Sequence, residues 1–302
     1  MSAKADSVVP ILYALGANFA IFIAKSVAAW VTGSSAMLAE AIHSLADCGN
    51  QGLLLFGMKR ARRPPNDDFP LGYGRDVYFW SFVVAIVLFS MGGLFSLYEG
   101  WHKLVHPQPL DRAWIAVAIL AFSVAVEGVS LWRVLQEIAK LKRGRSLWRW
   151  FRESRESELV VILGEDLAAL LGLTLALMAV VAAMVTGEPA YDAAGSMAIG
   201  AVLIVVAVAI AIEVKGLLIG QSADPETEQA IARFVSARPE VERLLRLITL
   251  QLGGTIMVAV KARMRERGSA EALVHQINAC ERALRAEFPQ IQWLFFEPDF
   301  DD

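Results

Sequence analysis

Apolar residues come along this chain in long blocks, with a change of pattern near residue 215. Six blocks run near residues 8–31, 35–58, 77–101, 112–138, 157–186 and 190–217. At about 1.5 Å of rise per residue, each is long enough as a helix to cross a hydrocarbon core about 30 Å thick. The pattern therefore predicts a six-transmembrane-helix bundle over residues 1–218. Beyond it, Ser222 to Glu226 carries an N-cap candidate, a proline and early acids, which predicts a helix running to about Ala237. Ile248, Leu250 and Leu252 then alternate with other positions, Gly253-Gly254 marks a tight turn, and Ile256, Val258, Val260 and Ala262 alternate again. Leu273, Ile277, Cys280, Leu284 and Phe288 form a helical stripe that Pro289 ends, and Ile291 to Phe296 reads as a last strand. The order is α-β-β-α-β, a small α+β domain over residues 219–302. A domain of about 80 residues buries a modest core, so a homodimer is expected.

Composition agrees with the blocks. Of 302 residues, 56% are hydrophobic, and the mean hydropathy of +0.48 is too high for an ordinary soluble domain. The net charge of -3 makes no case for nucleic acid. Cys48 and Cys280 are too few for a disulfide framework. Met1 to Val9 lacks the basic segment and cleavage site of a signal peptide, so the first block is expected to be a retained span. Lys59, Arg60, Arg62 and Arg63 follow the second block, and Lys140, Lys142, Arg143, Arg145, Arg149, Arg152 and Arg155 fill the connection between the fourth and fifth. The remaining connections are short and less basic. The positive-inside rule then puts the basic loops and both termini in the cytoplasm. The expected location is a bacterial inner membrane, with the basic connection as a topology signal more than a lipid-headgroup patch.

The second block changes the picture, because it carries Glu40, His43, Asp47, Asn50 and Gln51 on one helical stripe. An ionisable group at membrane depth is costly and marks a functional site by default. His43 and Asp47, four residues apart, share a helix face and make half of a transition-metal site. Asn50 and Gln51 are better explained as part of an interhelical hydrogen-bond network. The fifth block carries Glu165 and Asp166, which point about 100° apart on a helix, so at most one faces a shared site. Lys25 is expected to snorkel or to pair with an acid. Glu127 reads as part of a structural pair, a proton carrier or an acceptor behind the ligands. His102 and His106 read as exposed loop histidines. The chain has no H-E-x-x-H, no phosphate-binding G-x-x-x-x-G-K-[ST] and no paired C-x-x-C. No nucleophile accompanies the acids, so an enzyme is not expected, and transport would be driven by an ion gradient.

Gly33-Ser34-Ser35 followed by Glu40-Ala41-Ile42-His43-Ser44-Leu45-Ala46-Asp47, the segment Phe69-Pro70-Leu71-Gly72-Tyr73-Gly74-Arg75, and the ending Phe295-Phe296-Glu297-Pro298-Asp299 resemble the cation diffusion facilitator family. The resemblance covers nearly the whole chain. It implies a six-span antiporter with a cytoplasmic ferredoxin-like domain, a transported divalent cation with zinc first, and ligands at His43, Asp47 and Asp166. Two positions depart from the pattern. Aligning on Asp166 and Gly172 puts Ile162 where the fifth span supplies its other ligand, and Phe69 and Tyr73 stand where the family has loop histidines. Glu165 is the best candidate to complete the set, with a water, Asn18 or Glu127 as alternatives. In the C-terminal domain the candidate ligands are His275, Cys280, Glu297, Asp299, Asp301 and Asp302, without an expected high-affinity cluster. The H-x-x-x-D of the second span with the E-D pair of the fifth is most similar to the branch that includes a mitochondrial zinc exporter.

The expected activity is metal–proton antiport. An imidazole must lose its proton to bind metal and regains it near neutral pH. One histidine among oxygens leaves Mn²⁺, Fe²⁺, Co²⁺ and Ni²⁺ open beside Zn²⁺, manganese second. A non-transporting membrane sensor or partner subunit is the rival, on the strength of Ile162.

Overall fold

The computed structural model describes residues 8–107, 110, 112–142, 144–265 and 268–301, with the side chains of residues 8–15 and 17 left aside. The expectations for the first seven residues, Arg143 and Asp302 lie outside the described residues. The elements are α1 (Val8–Thr32), α2 (Ser35–Ala61), α3 (Asp76–Val87), a π-helical turn (Leu88–Leu94), α4 (Phe95–Val105), α5 (Ala113–Leu141), α6 (Leu147–Glu153), α7 (Ser157–Thr186), α8 (Ala190–Ile219), α9 (Pro225–Ser236), β1 (Val241–Leu252), β2 (Thr255–Met264), α10 (Ala270–Glu287) and β3 (Ile291–Pro298).

Each of the six apolar blocks is helical. Among the described residues, four stretches are long and apolar enough to cross a membrane: Asp76–Val105, Ala113–Leu141, Ser157–Thr186 and Ala190–Ile219. α2 falls short because its polar stripe dilutes its hydropathy. The apolar stretch described for α1 is shorter, Asn18–Thr32.

The chain divides into two compact units. The first holds the residues up to Gly57, Trp80–Ser146 and Glu158–Val214. Its helices approach closely where glycines remove the side chain. A Cβ on Gly200 of α8 would stand 2.7 Å from the Gly93 carbonyl oxygen and 2.8 Å from the Leu97 amide nitrogen. Both neighbours are backbone and cannot swing aside. Gly200→Ala is therefore expected to cost about 1–3 kcal/mol through forced separation of α8 from the π-helical turn and α4. Gly128→Ala, where nothing lies within 4 Å, is expected to be neutral or slightly stabilising. Thermal unfolding in detergent checks the contrast.

One end of this unit is tied by a buried ionic network. Asp192, in the first turn of α8, is fully buried. It accepts hydrogen bonds from Ser34 Oγ at 2.5 Å, Ser35 N at 2.7 Å and Ser35 Oγ at 2.9 Å. It thus caps the N-terminus of α2 from a different helix, where backbone N–H groups lack helical partners. Lys103, near the end of α4, donates to the Gly33 carbonyl and stands 3.5 Å from Asp192. Gly33 holds a left-handed backbone, φ 65°, that turns α1 into α2.

The second unit holds Met58–Phe79, Leu147–Ser157 and the residues from Lys215 onward. Its sheet has the order β1-β2-β3, with β1 antiparallel and β3 parallel to β2. The β1–β2 hairpin turns at Gly253, φ 64°, with Leu252 paired to Thr255 across the two-glycine loop. The parallel partner follows the crossover helix α10. Ile256, Val258, Val260 and Ala262 of β2 face a core shared with Ile231 and Val235 of α9, and Cys280 and Leu284 of α10. The first turn of α3 and the segment before it pack on this sheet: Gly253 N donates to Tyr78 Oη at 2.9 Å and Trp293 Nε1 donates to the Leu71 carbonyl at 3.3 Å.

Candidate metal centre

Helical spacing puts Glu40, His43, Asp47 and Asn50 on one stripe of α2. Glu40, His43 and Asn50 are fully buried, and the Asp47 side chain is 14% exposed. His43 Nε2 stands 3.6 Å from Asp47 Oδ2, beyond hydrogen-bond range. Among the described residues neither His43 nitrogen has a hydrogen-bond partner, and the same holds for Asp47 Oδ1 and Glu40 Oε1. Buried polar atoms are paired in the great majority of cases, and several that lack a protein partner lie along this one helix face. The π-helical turn lies beside this row, since a Cβ on Gly92 would stand 3.9 Å from His43 Nδ1. Gly92 and Gly93 lie within that turn.

The two acids of α7 diverge, as neighbours on a helix must. Glu165 is buried and accepts a hydrogen bond from Asn50 Nδ2 at 2.6 Å. Asp166 accepts from Ser130 Oγ on α5 at 3.0 Å. Glu165 is thus turned to α2, where its charge acts on Asp47, while Asp166 is turned to α5 and Glu127. Ile162 is half-buried on α7. Among the described residues no three of His, Cys, Asp or Glu gather closely enough to hold an ion. The structure therefore brings His43 to Asp47 and Glu165 to Asn50, and leaves Asp166 of α7 facing Ser130 of α5.

Lys25 of α1 pairs with an acid: its Nζ is 3.2 Å from Glu40 Oε2 and donates to Ser44 Oγ at 2.8 Å. Sequence reasoning named the polar groups but missed these partners, which join different helices with no local signature.

Outside the stripe, among the described residues, the candidates do not assemble into a group that could hold an ion. His102 and His106 are exposed, their rings 4.9 Å apart at the end of α4. Phe69 and Tyr73 pack on each other at 4.5 Å. Asp299 is engaged with Lys261 at 2.9 Å, which holds its carboxyl below the ordinary value. Burial, followed by the charge of Glu240, pushes the Cys280 thiol above its ordinary value, away from the thiolate a metal needs.

Residues 11–219 match the cation efflux transmembrane domain. The chain is 35% identical over 228 residues to the proton-coupled zinc antiporter SLC30A9, mitochondrial, of Mus musculus, covering 74% of this chain and 40% of that protein. It is 30% identical over 233 residues to metal tolerance protein C4 of Arabidopsis thaliana, covering 76% and 51%. It is 31% identical over 106 residues to the probable cation efflux system protein Rv2025c of Mycobacterium tuberculosis, covering 34% and 31%. The chain spans 40% of the length of the first of these relatives. It is an integral membrane protein, its apolar helices and the matched domain agree over most of its length, and it belongs to the cation efflux family.

Proposed function

We propose that this chain exports a divalent transition metal, zinc first, in exchange for protons, through a site centred on His43 and Asp47. The carrying observation is the 3.6 Å separation of His43 Nε2 and Asp47 Oδ2, with both imidazole nitrogens unpartnered. Two ligands about 2.0–2.1 Å from a tetrahedral zinc stand about 3.3 Å apart. The gap is too wide for a hydrogen bond and close to the span of a shared cation. Glu165 supplies the next oxygen from α7, with Asp166 behind it toward α5. The carboxylates offset the cation's charge where water is scarce. Metal and protons compete for the same lone pairs, and that competition couples their movements. The names of two relatives include zinc antiport and metal tolerance, which accords with this substrate class.

The oxygen-rich donor set also suits Mn²⁺, then Fe²⁺, Co²⁺ and Ni²⁺. Ile162 and the lack of a three-ligand group among the described residues favour the rival reading of a metal sensor or partner subunit. Proteoliposomes with an imposed pH gradient separate the two. Antiport predicts metal-dependent proton movement, and none with any first-row metal would leave the sensor. Glu165→Gln is expected to weaken zinc binding about tenfold or more by titration calorimetry. Unchanged affinity would remove Glu165 from the ligand set.

The proposed architecture has six crossings over residues 1–218, counting α1 and α2, and a ferredoxin-like domain over 219–302, supported by the order of α9 to β3. The Asp192 network gathers the start of α2, the end of α4 and the start of α8 at one end of the bundle, as alternating crossings require. Both termini then lie on the side of the basic loops. A homodimer is part of the proposal, resting on the small core of the C-terminal domain. The expected bacterial inner membrane draws no support from the mitochondrial antiporters among the relatives.

A further inference from the structure

We propose that Lys25 is a tethered counter-cation of the transport site: it holds Glu40 one helical turn beyond His43, and its competition with metal for that carboxylate sets how fast metal leaves. This rests on the antiport reading. Lys25 is 1% exposed and Glu40 fully buried, so the 3.2 Å pair is cut off from water. Only one carboxylate oxygen is engaged, and Glu40 Oε1 has no hydrogen-bond partner among the described residues. Gly172 of α7 leaves room for that oxygen, since a Cβ there would stand 2.6 Å from it.

Along α2 from the basic end, the stripe runs Asp47, His43, Glu40. Three residues of helix separate His43 from Glu40 by about 4.5 Å of rise, so an outgoing cation meets Glu40 next. It meets Lys25 there as well, whose charge also acts on His43, Asp47 and Glu127. An ammonium fixed at the exit end opposes a bound cation and shortens its stay. A pair that served only to hold α1 to α2 would show no such competition.

The two ideas differ in the sign of the binding change. Lys25→Met leaves an uncompensated carboxylate that metal neutralises, so KM and kcat for zinc are both expected to fall at least about fivefold. Glu40→Gln leaves an uncompensated ammonium, so KM is expected to rise by a similar factor. Lys25→Arg, which keeps the charge, should lie closer to wild type than Lys25→Met in both constants. Equilibrium zinc binding to the full chain in detergent should show the same opposite shifts. Shifts of the same sign, or affinity unchanged in both variants, would overturn the proposal. If Lys25→Met fails to fold, a Glu40→Gln protein that binds zinc no more weakly than wild type is enough to overturn it. Wild-type protein that binds zinc but moves none would defeat antiport, and the detergent measurement would still decide whether Lys25 opposes the cation.

Discussion

Replacing His43 with alanine is expected to abolish zinc-driven proton movement, a loss of at least about a hundredfold. The chain has four histidines, and the other three cannot substitute: His102 and His106 are exposed at the end of α4, and His275 lies on α10. Removing the imidazole leaves a site of oxygens alone, which suits harder cations. Zinc affinity should therefore fall further than manganese affinity, and that difference separates loss of a ligand from general damage. The His43 nitrogens have no hydrogen-bond partner among the described residues, so the substitution breaks no polar network and costs mainly packing. His43→Asn, smaller in volume change, should lose transport with a near-normal unfolding temperature. Zinc flux within about threefold of wild type in either variant would remove His43 from the site. Ligand substitutions act at the upper end of, or beyond, the 10–100-fold range seen for residues behind the ligands.

Asp192→Ala is expected to be the most destabilising substitution in the membrane unit, by about 3–5 kcal/mol. It strands the buried ammonium of Lys103 and removes the acceptor for Ser34 Oγ and for both the amide and hydroxyl of Ser35. Breaking one side of a buried pair costs more than replacing the whole of it. The double variant Lys103→Met/Asp192→Leu should therefore recover part of the loss. Asp192→Asn keeps one of the two acceptor oxygens, turns the other into an NH2 donor and should fall between. Thermal unfolding in detergent reads all three, and an Asp192→Ala protein as stable as wild type would show that the network does not hold this end together.

The outline of the fold was legible because its signals are local. Apolar blocks marked the long helices, and alternation with the Gly253-Gly254 turn marked the hairpin of the C-terminal sheet. The short helix α6 was not foreseen because it lies inside the basic connection between the fourth and fifth blocks, and the π-helical turn at Leu88–Leu94 because it interrupts a block whose hydropathy reads as continuous. The candidate site was half legible. His43 and Asp47 are one turn apart on one helix, so spacing alone joins them. Asn50 was placed in an interhelical network, but its partner Glu165 is 115 positions away and only packing reveals it. The adjacency of Glu165 and Asp166 showed that they must diverge, without showing which faces α2. The Asp192 network joins residues up to 158 positions apart and has no sequence signature beyond a buried charge at a helix start.

The central claim is that metal sits on the α2 stripe. Anomalous scattering at the zinc edge from zinc-loaded crystals of the full chain tests it directly. A peak about 2.0–2.1 Å from His43 Nε2, with a carboxylate oxygen of Asp47 and one from α7 in the same shell, is the predicted result. Zinc found only in the C-terminal domain, with His43 and Asp47 still 3.6 Å apart and unbridged, would contradict it.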